Sequence, residues 1–379
     1  MQIVALSWHV YLLTHSAFAL GIIGLSRFIP IVIFSLVGGS FADVHNRKRI
    51  MFITQTIMAI LSLILAVTTF NNTATPTIIY LMTVFSAIAI SFDTPARQAL
   101  IPNLVDKNHL PNAMSLNFIM FQSAIITGPA IGGFIIGYSG VGWVYLLNGI
   151  SFIAVLVALI LIKTSGNPTG AKSQVSIAAI VEGLHFVRNK TLIWSTMVLD
   201  FFSTLFASAT VILPIFATDV LGVGPEGLGL LYAAPSIGAV AAGLVMAHIG
   251  TIKKQGIVLL AAVTIYGIAT LLFGLSRNFL LSLFFLALVG AGDSVSTIIR
   301  NVIRNLETPD NIRGRMTAIN MIFFMGGPQL GEFEAGLLAA AVGGPISVVI
   351  GGIGTLTAVG FVTVLIPAIR RYTYHENIK

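Results

Sequence analysis

The sequence predicts an all-α membrane protein made of two bundles of six helices. Three observations carry this prediction: 56% of the 379 residues are hydrophobic, only 9% are charged, and the apolar residues form repeated long runs. A soluble domain has about 25% charged residues, so this chain has too few polar side chains to cover a water-facing surface. A helix needs about 20 apolar residues to cross about 30 Å of hydrocarbon, and most of the runs are long enough.

Twelve apolar runs predict the spans. The first, Met1 to Leu13, is too short to cross a bilayer, and we expect it to be the outer half of a helix whose beginning is missing. A short re-entrant or interfacial segment is the alternative. The other predicted spans are residues 17–41, 50–70, 77–91, 109–137, 141–162, 191–217, 228–249, 257–275, 280–299, 316–342 and 346–366.

A polar stretch divides the chain near its middle. It contains Gly166, Pro168 and Gly170, and is followed by apolar residues at helical spacing from Ile177 to Val187. This pattern is typical of an amphipathic helix lying on a membrane surface. We therefore predict an N-terminal bundle at 1–163 with an incomplete first span, a cytoplasmic linker at 164–190 and a C-terminal bundle at 191–379.

The basic residues predict the orientation. All of the 20 Lys and Arg residues except Arg27 and Arg277 fall in loops on one predicted side of the membrane. Cytoplasmic loops are enriched in Lys and Arg, so both termini of the full-length protein are expected in the cytoplasm. The net charge of +7 is thus a feature of topology and does not indicate nucleic-acid binding. These features indicate a multi-pass protein of the cell (inner) membrane.

An internal repeat relates the two halves. Five residues recur with a constant offset of 203: Arg97, Asn108, Asn117, Gly128 and Gly133 recur as Arg300, Asn311, Asn320, Gly331 and Gly336. An aspartate, Asp93 or Asp293, precedes each series. Six-plus-six spans with a parallel repeat are typical of transporters whose halves rock about a site at the bilayer midplane.

Four motifs resemble those of a known family. They are Gly39-Ser40-Phe41-Ala42-Asp43 with Arg47-Lys48-Arg49, the stretch Phe92–Pro102, the stretch Asn112–Asn117, and Gly128-Pro129-Ala130-Ile131-Gly132-Gly133. Over nearly its whole length the chain resembles the major facilitator superfamily, and within it the branch of enterobactin exporters and macrolide efflux proteins. It departs from the superfamily's loop motif at Val44 and Asn46, and from its antiporter motif at Ala124.

The resemblance implies a major facilitator fold and a latch at its cytoplasmic mouth. In such a latch Asp43 accepts charge-assisted bonds from Arg47 or from Arg97 and favours one state of the cycle. The predicted latch residues are Gly39, Asp43, Arg47, Lys48, Asp93 and Arg97. A plain positive-inside anchor is the alternative.

The glycine-proline motif implies export. In the family this antiporter-like motif, here Gly128, Pro129, Gly132 and Gly133, is associated with efflux. Ordinary close packing of helices is the alternative, because glycine is frequent in membrane helices.

Five charged residues fall within predicted spans and are candidates for the proton and substrate cavity. Each is costly in lipid and should face a cavity or a partner. They are Arg27, Asp200, Asp293, Glu332 and Glu334. Glu332 and Glu334 are two residues apart, about 200° around a helix, so both cannot face one cavity squarely.

The remaining sequence features argue against an enzyme. The chain has no cysteine, and its seven histidines lack ligand spacing, so we expect no disulfide, metal or cofactor. It also lacks a phosphate-binding loop and a hydrolase nucleophile motif.

The expected function is proton-coupled efflux of a small amphipathic molecule, such as a drug, siderophore or metabolite, by a monomer that uses alternating access. Its expected partners are that substrate, protons and the lipid bilayer, and no nucleic acid. An importer or symporter on the same fold is one alternative, and a membrane-embedded enzyme or lipid-handling protein is another. A chain inactive through loss of its first helix is a further possibility.

Overall fold

The computed structural model describes residues 1–167, 184–208, 210–250, 252–309 and 312–373. Across these ranges the secondary structure is helical. The long helices are α1 (Gln2–Thr14), α2 (Ala17–Val44), α3 (Arg47–Phe70), α4 (Pro76–Leu100), α5 (Leu110–Ser139), α6 (Val141–Leu161), α7 (Thr191–Ala207), α8 (Gly224–Ile249), α9 (Gln255–Leu275), α10 (Phe279–Glu307), α11 (Arg313–Val342) and α12 (Gly344–Leu365), followed by the short α13 (Pro367–Arg371).

The helices have the lengths of membrane spans. Within the described ranges, ten helices are long and apolar enough to cross a membrane. The ten do not include α1, which has 13 residues, or α11, which has 30. Short turns of 3₁₀, α and π geometry connect α7 to α8. The predicted all-α membrane architecture is therefore confirmed.

The repeat extends to the starts of the helices. Three helices in the first half and three in the second begin at positions 203 residues apart: Pro76 and Phe279, Leu110 and Arg313, and Val141 and Gly344. The cap before the first pair is repeated as well. Thr75 accepts from the amide of Ile78 at the start of α4, and Asn278 accepts from the amide of Leu281 at the start of α10. Such caps satisfy amides that have no partner inside the helix.

The break between α5 and α6 shows why the repeat has glycine at the same position in both halves. Gly140 has φ 90° and ψ 170°, and Gly343, 203 residues later, has φ 88° and ψ 154° between α11 and α12. A side chain is strained at such a positive φ, whereas glycine is not. The same single-residue connection therefore joins two long helices in each half.

The chain divides into two compact units. One comprises Met1–Val175 with Gly224–Gly229, and the other comprises Ser176–Val223 with Leu230–Lys379. In the first, α3 packs against α4 and α6, and α1 packs against α5; in the second, α9 packs against α10 and α12, and α7 packs against α11. These three helix pairs of the first unit thus recur in the second.

The predicted amphipathic linker helix lies mostly outside the described residues. Its last part, residues 184–189, is helical. Val187 is fully buried in a cluster with Ile193, Met197 and Met316 of α7 and α11. In this part Val187 packs against protein while Leu184 is exposed, so the expected position on the membrane surface stays a prediction.

Candidate functional site

The charged hinge, which we define as residues 38–49, is tighter than predicted. Helix α2 continues to Val44 and α3 begins at Arg47, so each helix extends three residues past the predicted span limits at residues 41 and 50. Asn46 is the N-cap of α3, and its Oδ1 accepts from the amide of Arg49 at 3.1 Å. This cap allows the helix to begin with three cations, although positive charge is unfavourable at a helix N-terminus.

Two of the hinge cations are bound to backbone carbonyls. Arg47 Nη1 donates to Ala99 O at 2.9 Å, near the end of α4, and Lys48 Nζ donates to Ile162 O, after the end of α6. Carbonyls at helix C-termini lack intrahelical partners and carry partial negative charge, so they favour cations. Among the described residues no ion pair joins Arg47 to Asp43 or Asp43 to Arg97. The latch stays a prediction.

Asp93 connects α4 to α3. Its side chain is buried, and Oδ1 accepts from Thr54 Oγ1 at 2.9 Å and from Gln55 Nε2 at 3.0 Å. Two polar donors thus compensate a carboxylate removed from water. Asp93 is a predicted latch residue, whereas Thr54 and Gln55 were not predicted as its partners, since a polar pair inside an apolar run has no motif of its own.

The close approach of α2 to α4 falls on Gly38. A Cβ added at Gly38 would overlap Ser91 O, whereas one added at Gly39 would meet nothing within 4 Å. The glycine that permits this close packing is therefore Gly38, and not the predicted latch residue Gly39. The two glycines are adjacent, but on a helix one residue is a rotation of about 100°.

The beginning of the linker is bound to the hinge. The amide of Arg47 donates to Gly166 O at 2.8 Å, and Asn46 Nδ2 donates to Asn167 Oδ1 at 2.8 Å. A Cβ at Gly166 would lie 2.5 Å from Asn46 Oδ1 and 2.7 Å from the amide of Lys48. We call this contact, formed by residues 46–48 and 166–167, the linker clamp.

The antiporter-like motif makes two close backbone contacts within the first compact unit. A Cβ at Gly132 would lie 3.1 Å from Met1 Cα, and a Cβ at Gly133 would lie 2.9 Å from Gly229 Cα. The carbonyl of Pro129 lies 2.6 Å from the Cβ position of Gly229. Glycine at these positions permits main chains to touch, as small residues do in membrane helices.

The second unit contains a buried ion network. Arg300 Nη2 lies 2.7 Å from Asp200 Oδ1, and both side chains are 1% exposed. The same nitrogen lies 3.9 Å from Asp293 Oδ1, whose side chain is 47% exposed. Two carboxylates from α7 and α10 therefore share one guanidinium, and one of the two is accessible.

Hydroxyl groups complete the network. Arg300 donates to Ser296 Oγ at 2.9 Å and to Thr297 Oγ1 at 2.8 Å, one turn earlier on α10. Arg304 follows one turn later and donates to Asn301 Oδ1 at 2.6 Å. These bonds orient both guanidinium groups along α10 and compensate part of their desolvation.

The burial of Arg300 and Arg304 differs from the sequence-based prediction. The predicted end of span ten at residue 299 places both in a cytoplasmic loop, yet α10 continues to Glu307 and the two side chains are 1% and 3% exposed. Ile299 and Ile303, both buried, continue the apolar spacing past the predicted end. That continuation is the signal that could have extended the helix.

The other three charged residues of the predicted spans lie on helices other than α7 and α10. Arg27 lies within α2, and Glu332 and Glu334 lie within α11. Glu332 Oε1 accepts from Thr210 Oγ1 at 3.1 Å, whereas Glu334 is half-buried without a partner in the described part of the chain. The two glutamates thus differ in environment, in accord with their angular separation on the helix.

A family model described as "Transmembrane secretion effector" matches residues 1–374. The chain belongs to this family, which is part of the major facilitator superfamily. The match covers both compact units and every helix described above.

Two similar proteins are named as a transporter and an exporter. The chain is 28% identical over 330 residues to the staphyloferrin A transporter of Staphylococcus aureus, covering 84% of this chain and 80% of that protein. It is 24% identical over 367 residues to the enterobactin exporter EntS of Salmonella typhimurium, covering 96% and 87%. The predicted resemblance to the enterobactin exporter branch is confirmed.

Solved structures share the fold. A transporter of the POT family superposes with a TM-score of 0.74 at 12% identity, covering 97% of this chain and 93% of the other. The nucleoside transporter NupG superposes with a TM-score of 0.70 at 16% identity, covering 98% and 95%. The predicted major facilitator fold is confirmed, and the chain is a multi-span membrane transporter.

Proposed function

We propose that this protein exports a small amphipathic molecule, such as a siderophore, drug or metabolite, from the cytoplasm in exchange for protons. The observation that carries the proposal is the match of residues 1–374 to a secretion family, together with relatives named as enterobactin exporters over 96% of the chain. Alternating access, in which two repeated bundles rock about a central site, is the mechanism expected of this fold. In this proposal the transporter acts as a monomer in the inner membrane, with both termini in the cytoplasm.

The ion network supports a role for Asp293 in proton coupling. Protonation of Asp293 would remove the longer contact of Arg300, at 3.9 Å, and leave the 2.7 Å contact to Asp200 in place. Protonation of Asp200 would instead leave a fully buried guanidinium with a distant acidic partner, which is costly. Asp293, the accessible carboxylate, is therefore the one that can change charge while the buried Asp200–Arg300 ion pair stays intact.

The remaining candidates have other roles in the proposal. Asp200 positions Arg300, and Glu332 is held by Thr210. Glu334, which is half-buried in α11, is a second candidate for protonation or for contact with a cationic part of the substrate. Arg27 in α2 is the candidate for contact with an anionic part of the substrate.

The hinge supports a latch that opens and closes during the cycle. In this structure Arg47 contacts the carbonyl of Ala99. Asp43 and Arg97, which belong to the same motifs as these two residues, are half-buried. If Asp43 forms an ion pair in another state of the cycle, that state gains a contact that the present state lacks. A switch between two states requires such a difference. If Asp43→Ala leaves transport unchanged at equal protein level, the hinge is only an anchor.

Transport into everted inner-membrane vesicles tests the proposal. Vesicles containing this protein should accumulate an exported siderophore or drug when a proton gradient is imposed, and collapse of the gradient should abolish accumulation. A panel of iron-free siderophores and amphipathic drugs identifies the substrate. Uptake that is indifferent to the gradient would overturn proton coupling, and gradient-driven loss of preloaded substrate would identify an importer.

A further inference from the structure

Two apolar grooves border one face of α3 in the first compact unit. The larger, of about 620 Å³, lies between α3 and the helices α2 and α4. The smaller, of about 320 Å³, lies between α3 and α6. Arg49 and Ile53 line both grooves, so they form the ridge that separates them.

The grooves belong to the surface in contact with hydrocarbon. Ile53 is 59% exposed, Phe85 is 49% exposed and Ile160 is 67% exposed, and all three lie within membrane-spanning helices. Exposure of such large apolar side chains to water would be strongly unfavourable. Acyl chains, rather than water or a polar ligand, are therefore the material that suits the two grooves.

The length of the larger groove matches one leaflet. Its lining on α3 extends from Arg49 to Leu61, which lies twelve positions later, or about 18 Å at 1.5 Å per residue. Half of a hydrocarbon core of about 30 Å is about 15 Å. A lipid with its headgroup at Arg49 would therefore extend its chain along the groove to about the bilayer centre.

Arg49 is the cation of the hinge that is available for a ligand. Arg47 and Lys48 donate to backbone carbonyls, whereas the exposed guanidinium of Arg49 has no partner among the residues that the structure describes. No carboxylate lines either groove. A guanidinium presents a planar fork of donors that fits a phosphate group bidentately.

We propose that Arg49 binds the phosphate of an anionic phospholipid whose two acyl chains occupy the two grooves, one on each side of Ile53. The basic hinge lies on the predicted cytoplasmic side, where anionic lipids attract basic residues. Bound there, the lipid would cover the α2–α3 connection and the linker clamp beside it. This inference concerns the lipid-facing surface of the protein and does not depend on the proposed substrate or on proton coupling.

Native mass spectrometry of the purified full chain tests the site. The protein in mild detergent is titrated with phosphatidylglycerol, phosphatidylcholine or glycerol phosphate. Retention of phosphatidylglycerol should fall about tenfold or more in Arg49→Gln, in line with loss of a charge-assisted hydrogen-bonding group. The control variant Arg371→Gln removes a charge from an exposed position on the same predicted side of the membrane. It should retain phosphatidylglycerol as the parent protein does.

A second pair of variants tests the grooves and leaves Arg49 unchanged. Ile57→Trp places a large ring in the larger groove and should weaken phosphatidylglycerol retention, whereas Ile64→Trp, at a similarly exposed position of α3 outside the grooves, should not. Monodisperse elution of each variant confirms folding. Equal retention in Arg49→Gln and Arg371→Gln, equal retention of phosphatidylcholine, or full competition by glycerol phosphate would overturn the proposal.

Discussion

Asp200 of α7 and Arg300 of α10 lie 2.7 Å apart with side chains that are each 1% exposed. Neither oxygen of Asp200 accepts a well-aligned hydrogen bond, so the contact is chiefly electrostatic. Removal of two such groups from water is expensive, and their attraction offsets that cost only while both remain. The pair therefore connects α7 to α10 through two residues that are 100 apart in sequence, and its loss should destabilise the second unit.

Replacement of Asp200 should destabilise the protein much more than replacement of Asp293. Asp200→Asn leaves Arg300 buried beside a neutral amide, and breakage of such a pair costs about 3–5 kcal/mol. Asp293→Asn removes a 3.9 Å contact to a carboxylate that is 47% exposed, and should cost about 1 kcal/mol or less. Thermal unfolding in detergent, followed by size-exclusion fluorescence, measures the difference. Equal shifts in the two variants would contradict the network described above.

Asp293→Asn should uncouple transport from the proton gradient while leaving a folded protein. Under the proposed mechanism, an amide at this position mimics the protonated carboxylate permanently. Exchange of labelled substrate across vesicles should persist, whereas accumulation against a gradient should be lost. Asp219→Asn, which changes an acid in the turn between α7 and α8, is the matched control. Accumulation by Asp293→Asn equal to that of the parent would assign coupling to another group.

Gly38 should tolerate a side chain far less than Gly39, although the two are adjacent. Gly38→Leu must displace the backbone of α4 at Ser91, and overpacking of this kind costs about 1–3 kcal/mol. Gly39→Leu enters open space and should leave the melting temperature within about 1 °C of the parent. The comparison is made on protein purified in the same detergent. A larger loss at Gly39 would contradict the helix register found here.

Loss of the linker clamp should expose the start of the linker to protease. Gly166→Val forces the chain away from Asn46 and Lys48 and breaks the hydrogen bond from the amide of Arg47. The population of the clamped state should therefore fall about fivefold or more. Trypsin added to everted vesicles should then cleave after Lys163 several-fold faster.

Asn167→Ala is the graded control for this experiment, since it removes only the side-chain bond to Asn46. We expect an intermediate rate of cleavage for it. Identical cleavage of the parent and Gly166→Val would show that the clamp does not protect the linker.

The sequence predicted the helices and the repeat well for a simple physical reason. Hydrocarbon requires every span to be a long apolar helix, so span positions appear directly in the apolar runs. The glycines at 140 and 343 and the caps at 75 and 278 are local signals too, because positive φ and unpaired helix amides restrict the residue type.

Helix ends next to charge were harder to predict. The charged residues that follow positions 41 and 299 predict span ends there, but α2 continues to Val44 and α10 continues to Glu307. A charge ends an apolar run without ending a helix when a cap, a carbonyl or a buried carboxylate compensates it. Asn46, Ala99 O and Asp200 do so here, and none of these partners is visible from the local sequence.

The sequence by itself determined that this chain is a membrane transporter with repeated halves, since composition, apolar spacing and the 203-residue offset are properties of the chain alone. Only the tertiary structure decided which charges are partners. In that structure Asp93 accepts hydrogen bonds from Thr54 and Gln55, and Arg300 contacts two aspartates. The side chain of Arg49 has no partner among the described residues. These choices depend on the rotation of each helix about its axis, which is set by packing against its neighbours.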